Sequence, residues 1–301
     1  MQAVIRSPRN PALCAPLTDG RSIGDCLVAN IPLKQLISAE MKAASFEMLT
    51  EDKATPNTVH IPLDHWIEVG ALCMLARQNS GTSLYDAHGD LVAWKGCLTP
   101  EECNNKIVTE APCFRIQYPW DFLTLNEDVL NAVTENDIKG EISQFATLEG
   151  KLVLGRGSRI LPGVVIEGNV VIGDNCKIGP NAYIRGNTTI GDNCVVGNSV
   201  EIKNSVIYPN STIAHLGYIG DSILGSHVNI GAGTILSNHR HDARNHRCIV
   251  NGELVDTRRD KLGAIIGDGV QTGINTSVYP GRKIGKGRTT LPGSVIQRDM
   301  M

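Results

Sequence analysis

The stretch I-A-H-L-G-Y-I-G-D, residues 213 to 221, places a histidine inside an otherwise apolar pattern. Packing gives no reason for an imidazole there. An imidazole titrates near neutral pH, so His215 is a residue type able to take up or give a proton there. Two cations, Arg185 and Lys203, each follow an aliphatic residue and stand 18 positions apart. If the chain repeats with that period, they project from one edge of adjacent layers with backbones about 5 Å apart. Like charges that close repel unless something anionic lies between them. A phosphate suits both, because Arg offers a planar fork and Lys a compact charge. The plainer alternative is an idle exposed histidine and two solvated cations with Glu201 as a partner.

The elements that position these residues follow from the spacing. From Leu154 an aliphatic residue recurs at every sixth position, through Ile160, Ile166, Ile172, Ile178, Ile184, Ile190 and Val196 to Ile202. A small residue follows four positions later, as at Ser158, Val164, Cys176, Ala182, Thr188 and Cys194. A period of six fits neither an amphipathic helix nor simple strand alternation. It predicts a solenoid of short parallel strands and tight turns, three hexads to a coil, each coil burying its aliphatic corners against the next. The register takes a five-residue step from Ile202 to Ile207 and another from Ile219 to Leu224. It stops at 237–262, which is too polar for a coil and must loop outward. Within that loop C-I-V-N-G-E-L-V predicts a hairpin turning at Asn251-Gly252. The period returns at Ile266, Thr272, Val278, Ile284, Thr290 and Ile296. Cys176 and Cys194, one coil apart, are expected as stacked core thiols rather than a disulfide.

This pattern resembles the hexapeptide-repeat family. The resemblance implies a left-handed parallel β-helix assembled as a homotrimer.

Residues 1–118 lack the sixfold period and read as a small α/β domain. M-Q-A-V-I predicts a buried strand, Leu33, Leu36, Ile37 and Met41 a helix face, and I-E-V-G-A-L-C-M-L-A a second helix or buried segment. The strand, then A-P-L-T at 15–18 and V-A-N-I-P-L at 28–33, resemble the opening of sugar-1-phosphate nucleotidyltransferases. Where that family has a glycine-rich phosphate turn this chain has R-S-P-R-N-P-A-L, whose Pro8 and Pro11 lack backbone donors. The family's P-K-P lysine context is replaced by S-I-G-D-C-L. The expectation is a shortened, degenerate domain without nucleotidyl transfer. Q-Y-P-W-D-F-L opens a helix with Phe122, Leu125, Val129 and Val133 on one face, so 119–147 reads as a linker and 148–301 as the solenoid domain.

A-Y-I-R-G, G-N-S-V-E-I-K, A-H-L-G-Y-I-G-D, N-I-G-A-G-T-I-L-S-N and K-L-G-A-I-I-G-D-G-V resemble, in order, the acetyltransferase domain of bifunctional N-acetylglucosamine-1-phosphate uridyltransferases. The loop with R-H-D and V-N-G-E-L is more similar to the archaeal-type sugar-1-phosphate nucleotidyltransferase/acetyltransferase branch. The resemblance implies an acetyl-CoA-dependent N-acetyltransferase of an amino-sugar 1-phosphate, glucosamine-1-phosphate first among them, in nucleotide-sugar biosynthesis. It implies His215 as general base and Arg185 and Lys203 as phosphate-binding residues. Tyr218, Asn229 and Asn238 would surround the sugar and acetyl group, Lys261 would reach in from a neighbouring subunit, and Ala232 and Gly273 would hold acetyl-CoA. Where the bacterial pattern has Tyr after Asn238, this chain has His239, which leaves the amino sugar open.

Composition bounds the remainder. A formal net charge of −3, without a long run of either sign, gives no reason to expect nucleic acid or an anionic membrane as partner. No apolar stretch reaches the roughly 20 residues of a membrane helix. Nine cysteines without CxxC spacing, and no leader pattern, point to a reduced, cytoplasmic protein. Three other assignments compete. They are a zinc hydratase of the γ-carbonic-anhydrase kind using His215, His227, His239 and His241, retained nucleotidyl transfer, and a non-catalytic assembly subunit. An acyl chain longer than acetyl also fits the fold. No metal is expected at the acetyltransferase site.

Overall fold

A computed structural model describes residues 1–8, 11–55 and 57–301. Arg9 and Asn10, in the middle of the R-S-P-R-N-P-A-L turn, lie outside the described residues. The chain forms two compact units.

The first unit comprises Met1–Pro11, Arg21–Cys26 and Ile31–Gln117. As M-Q-A-V-I predicts, Gln2–Arg6 is a strand, and it pairs in parallel with both Glu47–Leu49 and Val59–Pro62. Leu91–Lys95, Thr82–Tyr85 and Asn105–Val108 complete a six-stranded mixed sheet. Helix α1, Leu33–Ala43, buries the four residues whose spacing predicts it, Leu33, Leu36, Ile37 and Met41. Helix α2, Val69–Ala76, buries Ala71, Leu72, Leu75 and Ala76.

The second unit is a parallel β-solenoid carrying Ala12–Gly20, Leu27–Asn30 and Tyr118–Met301. Its coils stack in register: Ile166 pairs with Ile184, Ile184 with Ile202 and Ile202 with Ile219 on one face, while Ile160, Ile178, Val196, Ile213 and Ile230 stack on another. The aliphatic corners and the small inward residues form one continuous core. Cys176 and Cys194 are buried free thiols within it. The first coil begins earlier than the hexad spacing indicates. Asp137–Ile138 and Glu141–Ile142 already pair with Val153–Leu154 and Arg159–Ile160. Polar residues around Ile138 and Ile142 hide that coil from a search for apolar period.

The two five-residue steps are corners at Asn204 and Asp221, where the backbone takes the left-handed φ values of 48° and 45°. Asn and Asp tolerate that region because their short side chains hydrogen-bond locally. Leu224 pairs directly with Ile266, so the intervening loop leaves the prism and returns without breaking the stack. Its hairpin, Arg247–Val250 with Glu253–Asp256, turns at Asn251 and Gly252, both at positive φ as a type I′ turn requires.

Helix α3, Asp121–Asn131, belongs to this unit and buries Phe122, Leu123, Leu125, Asn126 and Leu130. Val129 and Val133, expected on that face, are only half-buried. Asn126 explains the broader contact. Its carboxamide accepts from Ala29 N–H and Thr189 Oγ1 and donates to the Asn187 carbonyl, tying helix, residues 27–30 and solenoid into one network. The Tyr208 hydroxyl accepts from Leu27 N–H at 2.8 Å, and Asn30 donates to the Ile190 carbonyl. These bonds are why Leu27–Asn30, inside the expected 1–118 domain, groups with the solenoid.

Candidate functional site

One outward wall of the solenoid carries most of the predicted residues. On strands Tyr183–Arg185, Glu201–Lys203 and Tyr218–Gly220 the middle isoleucine points into the core, so the flanking residues point out. Tyr183, Glu201 and Tyr218 form one outward column, and Arg185, Lys203 and Gly220 the other.

The two cations do not face one another unneutralised. Arg185 binds Glu201 Oε1 through Nε and Nη2 at 2.9 and 2.7 Å, with its guanidinium 5.5 Å from the Tyr183 ring centre. Lys203 Nζ lies 3.1 Å from Asp221 Oδ2. Repulsion between the cations therefore does not by itself demand a bound anion; two carboxylates already answer it. The pairs differ in exposure. Arg185 and Glu201 side chains are about one-third exposed, at 33% and 34%, whereas Asp221 is 3% exposed. A solvated carboxylate can give way to an incoming phosphate, and a buried one cannot.

Asn238, from the strand end after Leu236, donates through Nδ2 to Asp221 Oδ2. A Cβ placed on Gly220 would come within 2.5 Å of the Tyr218 hydroxyl and 2.7 Å of Asn238 Nδ2, so only glycine lets these two groups converge there. Burial, then the Asp221 and Glu201 carboxylates, push the Tyr218 phenol above its usual pKa, and a hydrogen bond from Asn238 pulls the other way. Tyr218 stays protonated at neutral pH, able to donate.

His215 ends the strand Thr212–His215 on the neighbouring face and is exposed. Leu216, at φ 51°, turns the corner, and Gly217 leads into Tyr218. His215 stands in a corner column above Asn198, which in turn accepts from Asn181 Nδ2 at 3.4 Å. The register that pairs Thr212 with Asn229 and Ile213 with Ile230 puts Ala232 one rung above His215, and Gly233 N–H donates to the His215 carbonyl. Asn229, exposed, pairs onward with Gln271. Gly273 packs over Gly231, where an added Cβ would fall 2.7 Å from Gly273 backbone atoms. The predicted residues thus divide between the wall, with Arg185, Lys203, Tyr218 and Asn238, and the adjoining corner and face, with His215, Asn229, Ala232 and Gly273.

Lys261 bridges His239 across the base of the loop, with Nζ 2.6 Å from His239 Nδ1, which therefore accepts from the ammonium. His241 is exposed. Among the described residues no three His, Cys, Asp or Glu side chains gather as a metal cluster within this single chain. Two residues of the site were not singled out by sequence. Asp221 is one, although it stands one short coil after Asn204. The other is His246, which is buried and lies 3.1 Å from the Asn238 carbonyl through Nε2; burial holds its pKa low.

Residues 166–282 match the family described as the GMPPB C-terminal domain. The chain is 39% identical over 182 residues to a bifunctional sugar-1-phosphate nucleotidylyltransferase/acetyltransferase of Sulfurisphaera tokodaii, a match covering 60% of this chain and 45% of that protein. It is 48% identical over 185 residues to a bifunctional protein GlmU of Methanococcus maripaludis, covering 62% and 44%. The chain thus spans under half the length of these curated relatives. Among solved structures, a Francisella novicida UDP-N-acetylglucosamine acyltransferase aligns with 52% of the chain at 20% identity and a TM-score of 0.31. In its C-terminal region this chain is similar to bifunctional sugar-1-phosphate nucleotidylyltransferase/acetyltransferases and GlmU proteins.

Proposed function

We propose that the solenoid is an acetyl-CoA-dependent N-acetyltransferase acting on an amino-sugar 1-phosphate, with glucosamine-1-phosphate the first acceptor to test. The observation that carries this reading is the wall on which Arg185, Lys203, Tyr218 and Asn238 stand together beside the corner of His215. The names of the relatives, which join a sugar 1-phosphate to acetyl transfer, support it.

Arg185 and Lys203 bind the phosphate, with the solvated Glu201 yielding its place on Arg185. Tyr218 and Asn238 orient the sugar. An amino sugar arrives largely as an ammonium ion, which cannot attack a thioester until a base removes a proton. His215 takes that proton, the freed amine attacks the acetyl carbonyl, and CoA leaves as the thiol. The backbone at Ala232, one rung above His215, holds the developing oxyanion, with Asn229 and Gly273 beside the acetyl-CoA path. Lys261 completes the acceptor site from a neighbouring copy in a homotrimer. Among the described residues no helix is long and apolar enough to cross a membrane.

The test follows thiol release from acetyl-CoA with glucosamine-1-phosphate for the protein and for His215→Ala. Loss of a general base lowers turnover by about 10²–10⁴-fold. Thiol release that His215→Ala leaves within threefold would remove the base assignment; no release with any amino-sugar phosphate would remove the reaction.

A further inference from the structure

The carboxylate of Asp221 is buried beneath the wall, yet it touches two of the residues that can reach a substrate, Lys203 and Asn238. Its Oδ2 accepts from Lys203 Nζ and Asn238 Nδ2, and its Oδ1 accepts from Asn204 Nδ2 at 2.9 Å. Its backbone N–H donates to the Lys203 carbonyl, and its carbonyl accepts from Gly263 N–H, where the loop rejoins the prism. The left-handed corner at 221 aims the side chain back under the wall.

The consequence is a fixed hydrogen-bond polarity. With Asn238 Nδ2 committed to Asp221 and to Tyr218, the side-chain oxygen Oδ1 of Asn238 is the acceptor that remains, and the Tyr218 hydroxyl keeps its own proton to give. One N–H of the Lys203 ammonium is held by Asp221 and two remain for an anion.

The network runs further. Asn204 Nδ2 also donates to Glu127 Oε1 at 2.7 Å, on α3, and Arg259 Nη2 pairs with the same oxygen at 2.5 Å. Arg259 Nη1 bonds Thr124 Oγ1, and its Nε reaches the Lys261 carbonyl at 3.3 Å. The loop carrying Asn238, His239 and Lys261 is thereby pinned to α3 by the chain of groups that ends at Asp221.

We propose that Asp221 is the positioning residue of the acceptor site, fixing Lys203 and Asn238, and that the Arg259–Glu127 pair on α3 holds the inserted loop in the arrangement Asp221 requires. The proposal rests on the reading of the wall as a sugar-phosphate site and names what sets its geometry.

The experiment measures steady-state kinetics with glucosamine-1-phosphate and acetyl-CoA for the full chain, Asp221→Asn, Lys203→Met and the double variant, with calorimetric binding of glucosamine-1-phosphate alone. Asp221→Asn turns an acceptor into a donor beside Lys203. The expected result is a rise of tenfold or more in KM for the sugar phosphate, with KM for acetyl-CoA within twofold. The effect should shrink to threefold or less when Lys203→Met is already present. An Asp221→Asn protein that folds and keeps its sugar-phosphate KM overturns the proposal while leaving the acetyltransferase reading in place. If the parent protein binds glucosamine-1-phosphate without turnover and Asp221→Asn weakens that binding tenfold, the positioning role stands and the acetyltransferase reading falls. A parent that neither binds nor turns over removes both. Should Asp221→Asn fail to fold, Glu127→Gln, on a partly exposed helix position, is expected to raise the same KM three- to tenfold. A proper fold with unchanged KM in that variant overturns the proposal.

Discussion

Two outward faces of one solenoid meet opposite fates. On the face bearing Thr189, Val206, Ile223 and Ile265, the outward residues are completely buried although they lie outside the prism core. On the face bearing Tyr183, Arg185, Glu201 and Lys203 they stay half-exposed and paired by charge. The inward residues are the same aliphatics in both. The hexad builds the prism, and the residue beside each corner decides whether a face is covered or used.

The comparison can be broken from its covered side. Ile223→Asp puts an unpaired carboxylate where nothing can hydrate it, which should cost at least about 3 kcal/mol. Thermal unfolding should move down by roughly 10 °C. A variant that melts with the parent would show that this face is not covered.

Acid should separate the two units. In the first unit, burial, with Arg6 adding to it, lowers the His60 pKa from 6.5 to about 4. Arg6 Nε donates to His60 Nδ1 at 2.9 Å, and that nitrogen must be free of a proton to accept. The unfolded chain takes up its proton near pH 6.5 while the folded unit resists until about 4. Stability is therefore full above about 6.5 and is lost progressively between 6.5 and 4, by an amount of order 3 kcal/mol at about 1.4 kcal/mol per pH unit. Fluorescence of Trp94, whose ring stacks on His60 at 5.2 Å, reports that unit during a pH titration. His60→Phe should flatten the dependence; an unchanged acid limb would place the acid-sensitive group elsewhere.

The smallest effect belongs to the open wall. Glu201→Gln removes a surface ion pair and should change stability by less than about 1 kcal/mol. A chemical-denaturation midpoint that shifts as far as that of Ile223→Asp would erase the distinction between the faces.

Much of this was legible from spacing. The core aliphatics, the five-residue corners, the returning period after 262 and the Asn251-Gly252 hairpin are local signals, and each has a local physical cause. The covered face left a signal that the sixfold spacing does not capture, the aliphatic doublets Val206-Ile207, Ile223-Leu224 and Ile265-Ile266, where the open wall has single aliphatics between polar residues. Other features were not legible. Leu27 joins the solenoid through a bond to Tyr208 that spans 181 positions, and no window of sequence contains both. The role of Asp221 depends on a backbone corner and on side chains 17 and 18 positions before it and 17 after it. At the site, Arg185 and Lys203 were placed correctly as stacked neighbours, but the partner carboxylates that quiet their repulsion change what the stacking implies.

The coil that brings Arg185 under Lys203 also makes the wall a ruler, graduated at about 4.8 Å. Distances along it change only in whole graduations. Inserting one coil of 18 residues below Ile166 would lengthen the rod and leave every spacing at the site untouched, since each coil leans only on its neighbours. The same insertion between Lys203 and Tyr218 would move Arg185 and Lys203 a full graduation from Tyr218. On the proposed reading, a ligand of intermediate length would have no mark to match, and such a wall would sort acceptors by size in discrete steps.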